Sequence, residues 1–216
     1  MSARLLLLFA LAMLPLGLPA ASPAQQDYQE AIGKTPDPGR GERLFITCAG
    51  CHRQDGSGNR DGTVPKIAGQ HLRVVVRQLS DYRNAIRWDP RMQHYADNHV
   101  LPDAQAIADV AAYVAGLERD PTAGVGPGDQ VGRGRAVYAA RCASCHGVQG
   151  GGDEAALVPR IGDQHFTHVL RMLRDGIEGT RPSFPADHLR LLEQLDPVEL
   201  VALADAISRG PGATAR

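Results

Sequence analysis

Every cysteine of this 216-residue chain falls in one of two segments, Cys48-Ala49-Gly50-Cys51-His52 and Cys142-Ala143-Ser144-Cys145-His146, placed 94 positions apart. Two thiols three residues apart share one helical turn, where each can add across a vinyl group of one haem while the next histidine turns back onto the iron. The pattern therefore demands two covalently attached haem c groups, and the chain has to fold twice around an apolar macrocycle. A zinc tetrathiolate would leave His52 and His146 unexplained. A disulfide between Cys48 and Cys51 would close too short a loop to stabilise much, and the redox-dithiol reading suits a chain without an export signal.

Thioether attachment of haem takes place outside the bacterial cytoplasm, so such a signal is expected, and residues 1–24 have its form. Arg4 precedes an apolar run from Leu5 to Leu14, and a Pro- and Ala-rich stretch ends in Ser22-Pro23-Ala24. A mature periplasmic protein starting near Gln25 follows. The apolar run is short for a membrane span, which makes an uncleaved N-terminal anchor the lesser alternative. Removing Arg4 with this leader leaves 22 basic and 24 acidic residues, a net charge of about −2. That balance suggests no nucleic-acid partner and no attraction to anionic lipid, while leaving peripheral membrane association open.

The remaining length, about 190 residues, suits one domain or two, and an internal repeat decides for two. At a constant offset of 94, Val64-Pro65-Lys66-Ile67 matches Val158-Pro159-Arg160-Ile161, Gln70-His71 matches Gln164-His165, and Arg77, Asp81 and Arg87 match Arg171, Asp175 and Arg181. The joint is Asp120-Pro121-Thr122-Ala123-Gly124-Val125-Gly126-Pro127-Gly128, whose Gly and Pro content cannot continue a helix. Residues 25–120 and 131–216 are thus the expected domains, with 121–130 as linker.

Both halves read as all-α, with long ordered loops and no strand ladder. Helices are expected over Gly41–Thr47 and Arg135–Arg141 ahead of the two motifs, then from Gln70 to about Asn84, with Leu72, Val75, Val76 and Leu79 on one face. The last helix of the first half spans Pro102–Leu117, on an apolar stripe of Ile107, Val110, Ala111 and Val114, and Asp103 sits where it favours the helix dipole. Its counterpart is Pro197–Ser208. The Gly- and Pro-rich loops are long for a self-sufficient core, an objection removed when a porphyrin supplies the apolar surface at the centre of each half.

The order helix, Cys-x-x-Cys-His, Pro-containing loop, helix, ligand loop and a final helix carrying Asp109-Val110-Ala111-Ala112-Tyr113 resembles a class I cytochrome c. The duplication, the Pro65–His71 stretch and the short linker make the chain similar to the two-domain dihaem cytochromes of the c4 type, over nearly all of its mature length. The resemblance implies that Pro65 and Pro159 offer their carbonyls to the proximal histidines and so fix which ring nitrogen faces iron. It also implies a distal methionine seven residues before the leucine that opens the last helix. Here those leucines are Leu101 and Leu195, and seven residues back stand His94 and His188, each 42 positions after its proximal histidine.

In the second half, where Met172 falls in the middle helix and reads as packing, His188 is the natural sixth ligand, its competitor being an empty or water-filled position. In the first half two side chains compete, His94 by symmetry and Met92 by family chemistry. Of the other histidines, His71 and His165 are expected to cap, pack, or contact a haem edge or the domain interface, and His99 and His168 to lie on the surface. Arg87 and Arg181 suit haem propionates or solvent, and Trp88 a haem edge or the underside of its loop.

The resemblance implies a periplasmic electron carrier and not an enzyme. It would pass single electrons between redox proteins such as a dehydrogenase or quinol-oxidising complex and a terminal oxidase or reductase, with no small-molecule substrate. One alternative is a haem enzyme reacting with peroxide or a gas at an open distal site in the second half. Another is a subunit whose haems serve only a bound partner.

Overall fold

The computed structural model describes residues 21–212, so the expected leader lies outside the described residues except for its last four. Ser22 caps the first helix and Ala24 is buried in it, which places the expected processing point within that helix's first turn. Ten helices follow in order among the described residues: α1 Pro23–Ile32, α2 Pro38–His52, α3 Leu72–Arg83, α4 Pro90–Ala96, α5 Ala104–Gly116, α6 Val131–Arg141, α7 Ala143–His146, α8 Phe166–Ile177, α9 Ala186–Leu192 and α10 Pro197–Ser208. An isolated bridge between Asp153 and Val158 is the one piece of β pairing among them.

Asp-Pro steps start three of these helices. Asp37, Asp89 and Asp196 each turn a side-chain oxygen onto backbone N–H groups of the first turn, while the proline supplies a pre-set φ at a position that needs no donor. Asp103 caps α5 in the same way, so that helix starts at Ala104, two residues later than the pattern predicts. α3 also starts two residues late. Its expected first residues, Gln70 and His71, are drawn off to the other domain.

Each half is built on a crossing of its first long helix with its last. α2 meets α5 at Gly41, where a Cβ would collide with the Asp109 carbonyl, and α6 meets α10 at Gly134 against the Ala202 carbonyl. Phe45, Val76, Leu101, Ile107 and Val114 fill the first core, to which α1 adds Tyr28. Val137, Tyr138, Val169, Leu173, Leu203 and Ile207 fill the second. Each large side chain so buried contributes about 1.5–3 kcal/mol. A buried carboxylate on each last helix ties down the incoming chain: Asp109 accepts from the Asp37 N–H at 2.8 Å, and Asp205 accepts from those of Gly126 and Gly128 at 3.0 and 2.6 Å.

The two domains clasp one another about an approximate twofold relation that the repeat predicts residue by residue. The Gln164 amide accepts from the Lys66 N–H at 3.0 Å and donates to the Lys66 carbonyl at 2.7 Å. Its counterpart Gln70 makes the same pair of bonds to Arg160, both at 2.9 Å. His165 Nε2 donates to the Ser57 carbonyl and His71 Nε2 to that of Gly151, each at 2.8 Å, and Ser57 and Gly151 are themselves 94 apart. Lys66, only 2% exposed, adds an ammonium that donates to the carbonyls of Asp120, Thr122 and Asp163 at 2.6–2.8 Å. Arg119 bridges the Ala68 and Gly162 carbonyls. Backbone polar groups of both domains are therefore satisfied across the joint, which fixes their relative orientation.

Candidate haem sites

In the first half both cysteines and His52 end α2, whereas in the second Cys142 caps α6 and Cys145 and His146 lie in the short α7; the loop behind them is built twice to one plan. After His52 the chain turns through Arg53 at φ 64°, and after His146 through Gly147 at φ 76°. Gly58 N–H then donates to the His52 carbonyl, and Gly152 N–H to that of His146. Farther on, Ile67 N–H donates to Gly56 and Ile161 N–H to Gly150. This loop carries Pro65 and Pro159 beneath the rings: each histidine Nδ1 lies 3.0 Å from the proline carbonyl. A carbonyl only accepts, so Nδ1 carries the proton and Nε2 keeps the free lone pair. Burial, the largest influence, pulls both imidazoles below the ordinary histidine range, so they are neutral at pH 7 and ready to bind a metal.

No disulfide joins any of the four cysteines; Cys48 and Cys142 are half-buried, Cys51 and Cys145 exposed. As thiols before haem attachment, Cys48 and Cys142 are pushed by burial up to about 11, the reverse of an activated redox thiolate. Among the described residues no three His, Cys, Asp or Glu side chains converge as an ion cage.

On the distal side the structure brings one predicted pair together. The His188 ring lies 6.3 Å from that of His146, centre to centre, its Nδ1 is buried with no hydrogen-bond partner, and Phe184 stacks on it at 4.7 Å. Burial, then the proximity of His146 and Arg181, holds His188 below its ordinary range, again as neutral imidazole. In the first half His94 points elsewhere. It is exposed, packs on His99 at 4.4 Å and places its Nε2 3.4 Å from that of His99. Met92, half-buried, shares a face of α4 with fully buried Ala96 four residues on. Met172 is engaged at the domain joint, where its sulfur takes Arg87 Nη2 at 3.2 Å.

The haem groups fit these surroundings. Arg87 and Arg181, matched in the repeat, lie over Tyr82 at 4.6 Å and over Phe184 at 4.2 Å. Arg181 Nε is buried without a partner, and burial plus the nearby Arg87 lowers its pKa to about 9. Three further unpartnered guanidinium nitrogens belong to Arg119, Arg135 and Arg160, the last beside Pro159. Carboxylates are the acceptors such cations lack, and haem propionates would supply them.

Four placements depart from the sequence reading or were missed by it. His168 is buried rather than on the surface, because Gly62 of the first domain presses against the first turn of α8, and Arg171 Nη2 lies 2.9 Å from its Nδ1. Trp88 is 63% exposed, so of its two expected positions it does not take the one under its loop. Lys66 and Arg119 carry much of the domain joint without standing out in the sequence; the one available signal was a lysine inside the repeated Pro-x-Ile stretch.

The cytochrome c family pattern matches residues 39–118, and that of subunit III of cbb3-type cytochrome c oxidase matches residues 129–205. Cytochrome c4 of Pseudomonas aeruginosa is 32% identical over 153 residues, 67% of this chain and 73% of the relative. The thiosulfate dehydrogenase electron acceptor of Stutzerimonas stutzeri is 30% identical over 169 residues, 73% of this chain and 76% of the relative. The crystal structure of reduced recombinant cytochrome c4 from Pseudomonas stutzeri superposes with a TM-score of 0.70 at 24% identity, covering 82% of this chain and all of that one.

Proposed function

The chain belongs to the dihaem cytochrome c4 family, and from that membership we propose that it is a periplasmic shuttle, taking single electrons from a dehydrogenase and delivering them to a terminal oxidase or reductase. Its two covalently attached haem c groups supply one-electron iron chemistry. The protein's own residues do the rest. Pro65 and Pro159 orient the proximal rings, Arg87 and Arg181 would hold propionates, and the two cores keep water from the macrocycles.

The observation that carries this reading is the reciprocal clasp of Gln70 on Arg160 and Gln164 on Lys66. Rigid docking of two haem domains serves electron exchange between them, and a simple tether would not need it. A dehydrogenase acting on reduced inorganic sulfur is the first partner to try, since one relative is named for accepting electrons from thiosulfate dehydrogenase.

The test mixes the purified ferric dihaem protein with a thiosulfate dehydrogenase and thiosulfate, following haem reduction by stopped flow. Two electron equivalents taken up per chain, re-oxidised on adding a terminal oxidase, are expected. Stoichiometric binding of carbon monoxide or turnover of peroxide, without electron exchange with any dehydrogenase, would replace the shuttle with a ligand-binding role. Osmotic-shock release of a chain beginning near Gln25 checks the compartment.

A further inference from the structure

The 94-residue repeat holds through α3 and α8 and then breaks. Six residues, 84–89, join α3 to α4, whereas eight, 178–185, join α8 to α9. The short ligand helices are therefore offset by 96 positions. Counted along each helix, Met92 is the third residue of α4 and His188 the third of α9, and four residues later stand the buried anchors Ala96 and Leu192. His94 corresponds to Arg190, and both are exposed.

What fills the station also differs in its support. In the first half the ring under the matched arginine is Tyr82 of α3; in the second, α8 has Gly176 at that position and the ring is Phe184 from the ligand loop. A Cβ on Gly176 would strike the Phe184 ring, so this glycine is what admits Phe184, and Phe184 in turn stacks on His188 at 4.7 Å. The two extra loop residues and the Tyr-to-Gly exchange form one device that seats an imidazole where the first domain has a thioether.

The gap the device leaves has the right size. Two imidazoles bound to opposite sides of one iron through bonds of about 2 Å stand with ring centres roughly 6 Å apart. His146 and His188 are 6.3 Å apart, with no hydrogen bond between them. The second domain's Met172 is held at the joint by Arg87 and is not available.

We propose that the two haems carry different axial pairs, His52 with Met92 in the first domain and His146 with His188 in the second, so that electrons rest first on the first haem. A thioether favours ferrous iron and a second imidazole favours ferric iron, which makes the chain a step with a built-in direction. The inference needs two haems in place and no particular partner. Its spectroscopic failure would leave the shuttle role standing, and failure with every dehydrogenase would leave the ligand sets standing.

The test is electron paramagnetic resonance of the ferric holoprotein, together with its thioether-to-iron charge-transfer band in the red. Two distinct low-spin signals are expected, with a band worth one haem per chain, most of it lost with the first electron equivalent. Met92→Ala abolishes the band, His94→Ala leaves it, and His188→Ala turns one haem high-spin until free imidazole restores it. His188→Met, which keeps a ligand at the station, doubles the band. A wild-type band worth two haems or none overturns the proposal, as does loss of the band in His94→Ala, or two low-spin haems in His188→Ala. The wild-type spectra decide even where a variant fails to accumulate.

Discussion

Replacing Gln164 with leucine removes the buried half of the interdomain clasp while keeping side-chain volume close. Three backbone groups lose their partner at once: the Lys66 N–H and carbonyl, at 3.0 and 2.7 Å, and the His165 N–H, at 2.9 Å. Lys66 and His165 are 2% and 1% exposed, so water reaches them poorly. A buried group left unsatisfied costs about 1–3 kcal/mol, which over three groups, with some relaxation, comes to roughly 3–6 kcal/mol. Gln70→Leu strips the equivalent bonds from Arg160 and His71, but these are half-buried. Solvent can replace much of what is lost there, and about 1–2 kcal/mol is expected. Denaturant unfolding of the holoprotein, followed through haem circular dichroism in each domain, measures both. Gln164→Leu should also split a shared transition into two, because the domains would no longer melt together. Equal losses in the two variants, or a loss under about 1 kcal/mol in Gln164→Leu, would refute the view that these amides lock the domains.

Other consequences can be checked with the same melts. Arg53 sits at φ 64°, ψ 164°, a region that costs a non-glycine residue about 1–3 kcal/mol, so Arg53→Gly should raise stability by about 1 kcal/mol after the entropy cost of glycine. Gly41→Ala drives a methyl into the Asp109 backbone at the α2–α5 crossing and should destabilise the first domain by about 1–3 kcal/mol or more, read as a lowered denaturant midpoint. His165 accepts the Gly124 N–H on Nδ1 and donates from Nε2 to Ser57, an arrangement only the neutral ring can make. Burial, chiefly, with Lys66, Arg119 and Arg60 adding to it, lowers its pKa below the usual 6.5, so its contribution is complete above pH 6.5 and drains away as pH falls through the folded value. A pH series of melts should show this slope in the native protein and a shallower one in His165→Gln.

Much of the fold was legible because haem attachment fixes local structure so tightly. Cys-x-x-Cys-His needs a helical turn, the carbonyl of Pro65 or Pro159 needs a loop returning under the ring, and both demands recur at the 94-residue offset in matching hydrogen bonds. α10 runs over Pro197–Ser208 as the pattern predicts, since Asp196 and Pro197 mark its start in the sequence itself. The errors gather where the two domains meet. Gln70 and His71 carry a helix-compatible pattern, yet they unwind from α3 because carbonyl and amide groups of the other domain offer them better partners. His168 looks like an unmatched surface histidine until the docking of Gly62 covers it. Such contacts belong to pairs about 80 to 110 positions apart, and no local pattern announces them.

The ligand loop teaches a different lesson, because there the repeat itself misleads. An offset of 94 pairs His94 with His188, and the equal spacing of 42 from each proximal histidine strengthens the impression of symmetry. Spacing along a chain equals position in space only while the intervening elements keep their lengths, and the connection before α9 is two residues longer than the one before α4. Two residues are more than half a helical turn, about 200° on a helix of 3.6 residues per turn. That is enough to carry His94 to the solvent face of α4 while Met92 takes the inner one. The extra length was in the sequence all along, hidden because the connection between α9 and α10 is three residues shorter than that between α4 and α5, which brings the last two helices to an offset of 93. What betrays it locally is chemistry rather than counting. Gly176 replaces a tyrosine on a helix that has no need of flexibility, and at the 94-residue sequence offset Phe184 falls opposite the proline that opens α4. A glycine and an aromatic exchanged together across a repeat mark a place where one ring has moved from a helix to a loop, and the residue that ring supports is the one to test as a ligand.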